Sequence, residues 1–389
     1  VPRAETTRGL EPGILAEARV AQAWFWDGYF ARRGIDLQHR FGAEATTLTD
    51  LDVIGISFDP SLTARREIGE VKTGTSKTTP RPLDRALWLR GVRDLVGATS
   101  SEVTTAFRAS TAVRDACRQL GSSVQHLEEL TAREARLAIP SVNDCGSHGE
   151  SMIIARNSVQ SFVRSDPVLE RAYWFLTSEV WFLEPFDALK RLLGLLRETT
   201  KRWPPDNQPE PLACARWIAA ETIALVTLHL VTIAGIHNRM DPATFKETAA
   251  ARLSTGDVAY HSIRKLSDRV DDYLAKILSS LDAPADVQVS AMGAFMPTPP
   301  DYFEPLLELV QRLAVEARTT SRLPRQMDVL IYERLVRQRG LSSSVARRLD
   351  IDADTQRQVR LIAAFLKGQT GVSSETERAL NSPLPLPAT

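Results

Sequence analysis

Cysteine is almost absent: Cys117, Cys145 and Cys214 are the only three in 389 residues. An odd number at wide spacing argues against a disulfide framework and fits a reducing, cytoplasmic compartment. Net charge is absent too, because 48 basic and 48 acidic residues cancel. Nothing therefore attracts the chain to nucleic acid globally, and any such binding must come from local patches. Lysine is scarce, outnumbered several-fold by arginine, a bias that suggests a high-GC genome. No Gly-rich phosphate loop, Ser-His-Asp grouping or zinc-protease helix occurs, so the chain carries no visible motor. No repeat of constant period occurs either. Cys145 and His148 in NDCGSHGES form a C-x-x-H without a second pair, which reads as a linker rather than a zinc site. No secretory signal opens the sequence, and Val1 is compatible with an alternative bacterial start codon. The longest apolar run, Ile218 to Ile236, is interrupted by Glu221 and His229 and falls short of the roughly 20 residues a bilayer demands. A buried core helix is expected there, with His229 hydrogen-bonded inside it.

What the chain does contain is concentrated in TDLDVIGISFD…ARREIGEVKTG. Side chains alternate faces along a strand, so in IGEVK Glu70 and Lys72 share a face while Val71 points to the other. Asp52 opens a β-type run just before. A loop over Asp59 to Arg66 would let the two strands pair as a hairpin, bringing one carboxylate beside a second carboxylate and an ammonium. Mg²⁺ prefers oxygen ligands and keeps several waters, so Asp52, Glu70 and the Val71 carbonyl suffice to hold it. A bound metal activates water and stabilises charge on a phosphate, and Lys72 would orient that water or phosphate. In a chain poor in lysine, a position free to carry any cation would more often hold arginine. Asp50 competes with Asp52, since it faces the same side two positions earlier; the apolar run that begins directly after Asp52 favours Asp52.

With these residues the segment resembles the PD-(D/E)xK, or restriction-endonuclease-like, nuclease superfamily, nearest to its Mrr-type and archaeal Holliday-junction-resolvase branch. The resemblance covers residues 11 to 139, about a third of the chain. It implies an α/β fold with an αβββαβ core, a mixed central sheet flanked by helices. The element order agrees: an amphipathic segment AEARVAQAWFWDGYFARRG ending at Gly34, a strand IDLQHRF, the two motif strands, a helix LDRALWLRGVRDLVGA, a strand EVTTAF, a helix TAVRDACRQLG and a last strand SVQHL. The resemblance further implies a metal-dependent endonuclease acting on DNA, in restriction or anti-phage defence. It makes Asp52, Glu70 and Lys72 catalytic, with Mg²⁺ (or Mn²⁺) held by Asp52, Glu70, the Val71 carbonyl and a supporting Glu17. Among the basic residues near the motif, Lys77, Arg81, Arg85 and Arg90 are the expected nucleic-acid contacts, with Arg65, Arg66 and Arg93 nearby. The alternative is a non-catalytic nucleic-acid-binding or assembly protein that keeps the fold; RNA is not excluded as partner.

Beyond residue 150 the apolar spacing turns helical and strand alternation nearly vanishes. The expected division is a nuclease domain over 1–140, a linker over 141–150, an all-helical domain over 151–381 for recognition, regulation or assembly, and a disordered tail over 382–389. Proline clusters at Trp203 to Pro211 and Met296 to Pro300 break the helices. The aromatic stripe from Tyr173 to Phe186 is expected in a helical core rather than as a base-stacking platform. GLSSSVARRLDIDADTQRQVRLIAAFLK has a helix-turn-helix outline, although Asp350 and Asp352 in the turn would repel phosphates. A homodimer or protein partner through the helical domain is the remaining expectation.

Overall fold

The computed structural model describes residues 10–41, 44–76, 79–139, 144–254, 260–280 and 298–384, with the side chains of 38–47 and 260–264 left outside the description. Pro12 opens α1 (Pro12–Trp26) in the first turn, where its missing N–H costs nothing, and the helix stops at Asp27 and Gly28, whose φ of +115° suits glycine. Three strands follow, β1 (Phe30–Phe41), β2 (Glu44–Phe58) and β3 (Ala64–Lys72). The chain then crosses through α2 (Pro82–Val96) to β4 (Ser100–Thr105), and through α3 (Thr111–Gln119) to β5 (Ser122–His126), before α4 (Leu127–Arg136). Strand order in the sheet follows the chain; β1, β2 and β3 pair antiparallel, while β3/β4 and β4/β5 pair parallel. The protein is α/β, a mixed five-stranded sheet flanked by helices and followed by a helical region.

The two faces of the sheet are set by residue parity. Gly55 and Gly69 press on Trp24 of α1, where an added Cβ would come within 2.8 and 3.2 Å of the indole. Only glycine permits that approach. Asp52, Glu70 and Lys72 have the opposite parity and face α2, which packs on β3, β4 and β5. α4 joins α1 on the first face, tied by the Arg19–Glu134 ion pair at 2.6 Å.

The helical region comprises α5 (Glu150–Val163), α6 (Pro167–Thr177), α7 (Pro185–Lys201), α8 (Pro209–His237), α9 (Pro242–Ser254), α10 (Tyr260–Ser280) and helices from Phe303 to Asn381. α8 is its hub, buried all round against α5, α6, α7, α9 and the helices Phe303–Val315 and Leu323–Ile331. Among the described residues it alone is long and apolar enough to cross a membrane, and its apolar window is 94% buried inside the protein. As expected, the aromatic stripe lies in the core: Tyr173, Phe175, Trp181 and Phe186 are buried.

This region covers the outer edge of β1. Arg156 of α5 donates to the carbonyls of Arg33 (2.6 Å) and Gly34 (2.8 Å), and Ser178 donates to that of Asp36. An edge strand left bare would template association, and here the carbonyls of Arg33, Gly34 and Asp36 are occupied. The apolar cores of the two halves run into each other as one cluster.

Four expectations need correction. The first helix does not reach Gly34: Phe30–Gly34 belongs to β1, because pairing of Phe30 with Ile56 and of Arg32 with Ile54 outweighs the helical spacing of the sequence. Residues 144–149 are packed rather than exposed as linker; Cys145 and His148 are buried, the Gly146 amide donates to Glu333, and Ser147 donates to Asp328. Residues 140–143 lie outside the description, as do 385–389 of the expected tail, whereas Leu384 is buried. His229 is buried, but neither ring nitrogen has a hydrogen-bond partner, and burial followed by the charge of Arg66 pushes its pKa down to about 3.

Candidate active site

The site forms where β2 and β3 part. Their pairing runs from Phe58 opposite Ala64 to Val53 opposite Gly69 and goes no further. Asp52 and Glu70 stand at the fork. On the other side of β2 the β1 register passes from Arg33↔Val53 to Ile35↔Leu51, which leaves Gly34, at φ +57°, across from Asp52. The strand alternation read from the sequence therefore converges in space. Val71 N–H donates to Asp52 Oδ2 at 2.6 Å, a bond that replaces the missing ladder partner. The N–H and C=O of one strand residue point the same way, so the Val71 carbonyl faces the fork as well. Lys72 Nζ lies 3.5 Å from Asp52 Oδ2 and 2.6 Å from Glu70 Oε1. Arg85, from α2, places Nη2 2.7 Å from the same Glu70 oxygen, while its guanidinium carbon stacks 4.1 Å from the Trp88 ring centre.

Desolvation dominates the electrostatics. Burial raises the pKa of Asp52, and the neighbouring Asp50 charge adds to this against the pull of Lys72 and the Val71 amide. Glu70 is raised by burial and then by Asp52, against Lys72 and Arg85. Glu17, on α1, is pushed up to about 7 by burial first and Asp52 next, with Arg33 working the other way from 3.9 Å. For Lys72 burial disfavours the charge, yet the hydrogen bond to Glu70 and the charges of Asp52 and Glu70 outweigh it and raise its pKa. Carboxylates held at such a cost, next to a half-buried lysine, are groups poised for a cation or a proton.

The donor set suits a hard divalent ion. Two carboxylates and a backbone carbonyl leave room for water and substrate oxygens, as Mg²⁺ requires. Among the described residues no group of three or more His, Cys, Asp or Glu side chains is assembled as a metal cage. That fits an oxygen site completed by backbone, water and substrate no worse than it fits none. Asp50 is exposed and pairs across β1 with Asp36, so Asp52 is the carboxylate at the fork.

The basic residues fare unevenly. Lys77 lies outside the described residues. Arg81 is exposed, and Arg90 is exposed beside Asp94 at 3.4 Å. Arg85 is not a free surface cation; it is spent on Glu70. Arg66 and Arg93 cap the carbonyls of Val96 and Gly121. In the C-terminal helix-turn-helix outline, helices Ser343–Arg348 and Ala353–Thr370 flank a turn with Asp350 at φ +50°, and Arg357 is engaged by Glu316 and Asp354. Sequence reasoning missed two residues: Arg85 as a partner of Glu70, and Arg156 as the clamp behind Gly34. Trp88 three residues after Arg85 was the one available hint, since that spacing stacks a guanidinium on an indole.

No family model, curated protein or solved structure matches the chain.

Proposed function

We propose that the protein is a metal-dependent nuclease that hydrolyses phosphodiester bonds, with a restriction-endonuclease-like core in its sheet half. The observation that carries this reading is the fork: Asp52, Glu70, Lys72 and the Val71 backbone meet where β2 and β3 separate. In the proposed reaction Asp52, Glu70 and the Val71 carbonyl hold Mg²⁺ or Mn²⁺, and Glu17 supports it from α1. The ion supplies an activated water and stabilises charge on the phosphate. Lys72 orients the water or the phosphate as a compact point charge, and the buried surroundings strengthen each of these contacts. DNA is the expected substrate, and defence against foreign DNA its setting. The helical half serves recognition, regulation or assembly, in a soluble protein of the cytoplasm.

Asp52→Ala, Glu70→Ala and Lys72→Ala should each abolish metal-dependent cleavage while the fold survives, because parts of one metal-phosphate unit act together. Lys72→Arg should not restore it, since a planar guanidinium does not replace an ammonium. A second reading, a nucleic-acid-binding protein without cleavage, draws support from the Arg85 ion pair on Glu70. Binding that survives all three substitutions, with no cleavage by the parent protein under any divalent ion, would favour it.

A further inference from the structure

Charge counting at the fork leads beyond the assignment of ligands, and it rests on the nuclease reading. Two carboxylates, Asp52 and Glu70, face two cations, Lys72 and Arg85, within 2.6–3.5 Å. The metal-free site is thus already neutral. Both cations converge on a single oxygen, Glu70 Oε1, one from the motif strand and one from α2. Around them Glu17 faces Arg33, and the Asp50 charge reaches Asp52 only from an exposed position, where solvent screens it. A divalent ion arriving alone would put two positive charges beside two cations in a half-buried site, where repulsion is poorly screened. A phosphodiester arriving with it supplies a compensating negative charge and an oxygen ligand. Arg85 cannot simply swing away at no cost, because its guanidinium is stacked on Trp88 and ion-paired with Glu70.

We propose that Arg85 is a positioning residue that closes the metal-free site: held on Trp88 and ion-paired with Glu70, it makes cation and phosphodiester bind together rather than one after the other. Arg85 touches neither metal nor substrate in this scheme. It sets the charge that the incoming pair must balance, and it orients Glu70 so that the carboxylate is presented to the fork.

The test is calorimetric titration of the full chain with Ca²⁺, a hard cation that should bind without turnover, in the absence and presence of bis-para-nitrophenyl phosphate. This phosphodiester anion imposes no sequence or strand form. For the parent protein the anion should tighten Ca²⁺ binding by about tenfold or more, the effect of roughly one unit charge in a partly buried site. Arg85→Gln should bind Ca²⁺ about tenfold more tightly than the parent without the anion, and gain correspondingly less from it. Arg85→Lys keeps the charge but gives up the guanidinium–indole stack, as Trp88→Leu does, and should fall between the parent and Arg85→Gln, which separates charge from lost packing. Should Arg85→Gln compromise folding by thermal melting, Trp88→Leu loosens the same guanidinium and should shift the anion-free affinity in the same direction. Equal Ca²⁺ affinity in parent, Arg85→Gln and Trp88→Leu, with Glu70→Gln losing binding, would overturn the role of Arg85 and leave the metal site standing. Absence of Ca²⁺ binding in the parent with and without the anion would overturn the metal reading itself, and this inference with it.

Discussion

Two clusters of acids and cations flank the first strands of the sheet, built from the same residue types and finished differently. On the outer side of β1, Arg32 meets Glu221 of α8 at 2.9 Å and Asp328 at 2.6 Å, with its guanidinium 4.3 Å from the Phe30 ring centre. Tyr332 donates to Glu221 at 2.6 Å, and Ser147 donates to Asp328 at 3.1 Å. Burial disfavours the Arg32 charge, but Asp328 and Glu221 outweigh it and raise its pKa. At the β2/β3 fork, by contrast, one carboxylate oxygen takes two cations, Lys72 keeps 30% of its side-chain exposure, and both carboxyl pKa values are raised. The first cluster is sealed and joins the two halves. The second is incomplete in a way that a cation and a phosphate would complete. Similar charges at similar spacing thus serve as a rivet when saturated and, on the proposed reading, as a binding site when not.

Breaking the rivet should have the largest effect. Glu221→Ala leaves Arg32 and Tyr332 short of a partner inside the core and should cost about 3–5 kcal/mol. Because the cluster spans both halves, denaturation followed by tryptophan fluorescence should lose them in one transition, with residues 144–149 resisting proteolysis in the native protein. A separate early transition of the helical half would show that the joint is weaker than its geometry.

The same kind of deletion at the fork should behave in the opposite way. Asn at position 52 keeps an acceptor for the Val71 amide but removes a carboxylate whose burial is unfavourable, so Asp52→Asn should leave stability unchanged or raise it by about 1 kcal/mol while abolishing cleavage. Loss of stability comparable to Glu221→Ala would make Asp52 a structural residue. Arg156 stands behind the fork, since it clamps the carbonyl of Arg33 and that of Gly34, which lies across from Asp52. Arg156→Ala should cost about 1–3 kcal/mol and reduce cleavage without abolishing it, with faster amide exchange confined at first to β1. Exchange that rises evenly over the sheet would deny this local role.

A further effect is a pH dependence. Folded Glu17 keeps its proton to about 7, whereas the unfolded chain releases it near 4.5. Between those values the folded state binds more protons, so this residue's contribution to stability is present at low pH and is lost as pH rises through about 7. In metal-free buffer Glu17→Gln should therefore gain in melting temperature relative to the parent as pH rises from 5 to 8. Parallel curves would mean that Glu17 titrates as an ordinary surface carboxylate.

How much of this the sequence disclosed depends on range. Asp52, Glu70 and Lys72 were legible because strand alternation is a local rule that already fixes which side chains share a face, and the α/β order was legible from its punctuation by Gly97, Gly121 and Pro82. The overrun of the first helix past Asp27 came from FARRG, whose spacing suits either element until β2 pairs with it. NDCGSHGES looks like exposed chain by composition, yet Glu333, Asp328 and Arg337 from far along the sequence bond the backbone of Gly146, Ser147 and His148, and Cys145, Gly146 and His148 are buried. Arg85 and Arg156 were opaque for the same reason: an arginine's partner is chosen by packing between distant elements, and apart from Trp88 beside Arg85 nothing within a few residues distinguishes a clamp from a solvated cation.

The most direct test is cleavage of linear, circular and branched DNA, with RNA alongside, by the full chain in Mg²⁺, Mn²⁺ and chelator, run in parallel with Glu70→Ala. The account predicts phosphodiester cleavage that requires the divalent ion and disappears in Glu70→Ala at unchanged fold. Cleavage that persists in Glu70→Ala, or none on any substrate with either ion, would contradict it.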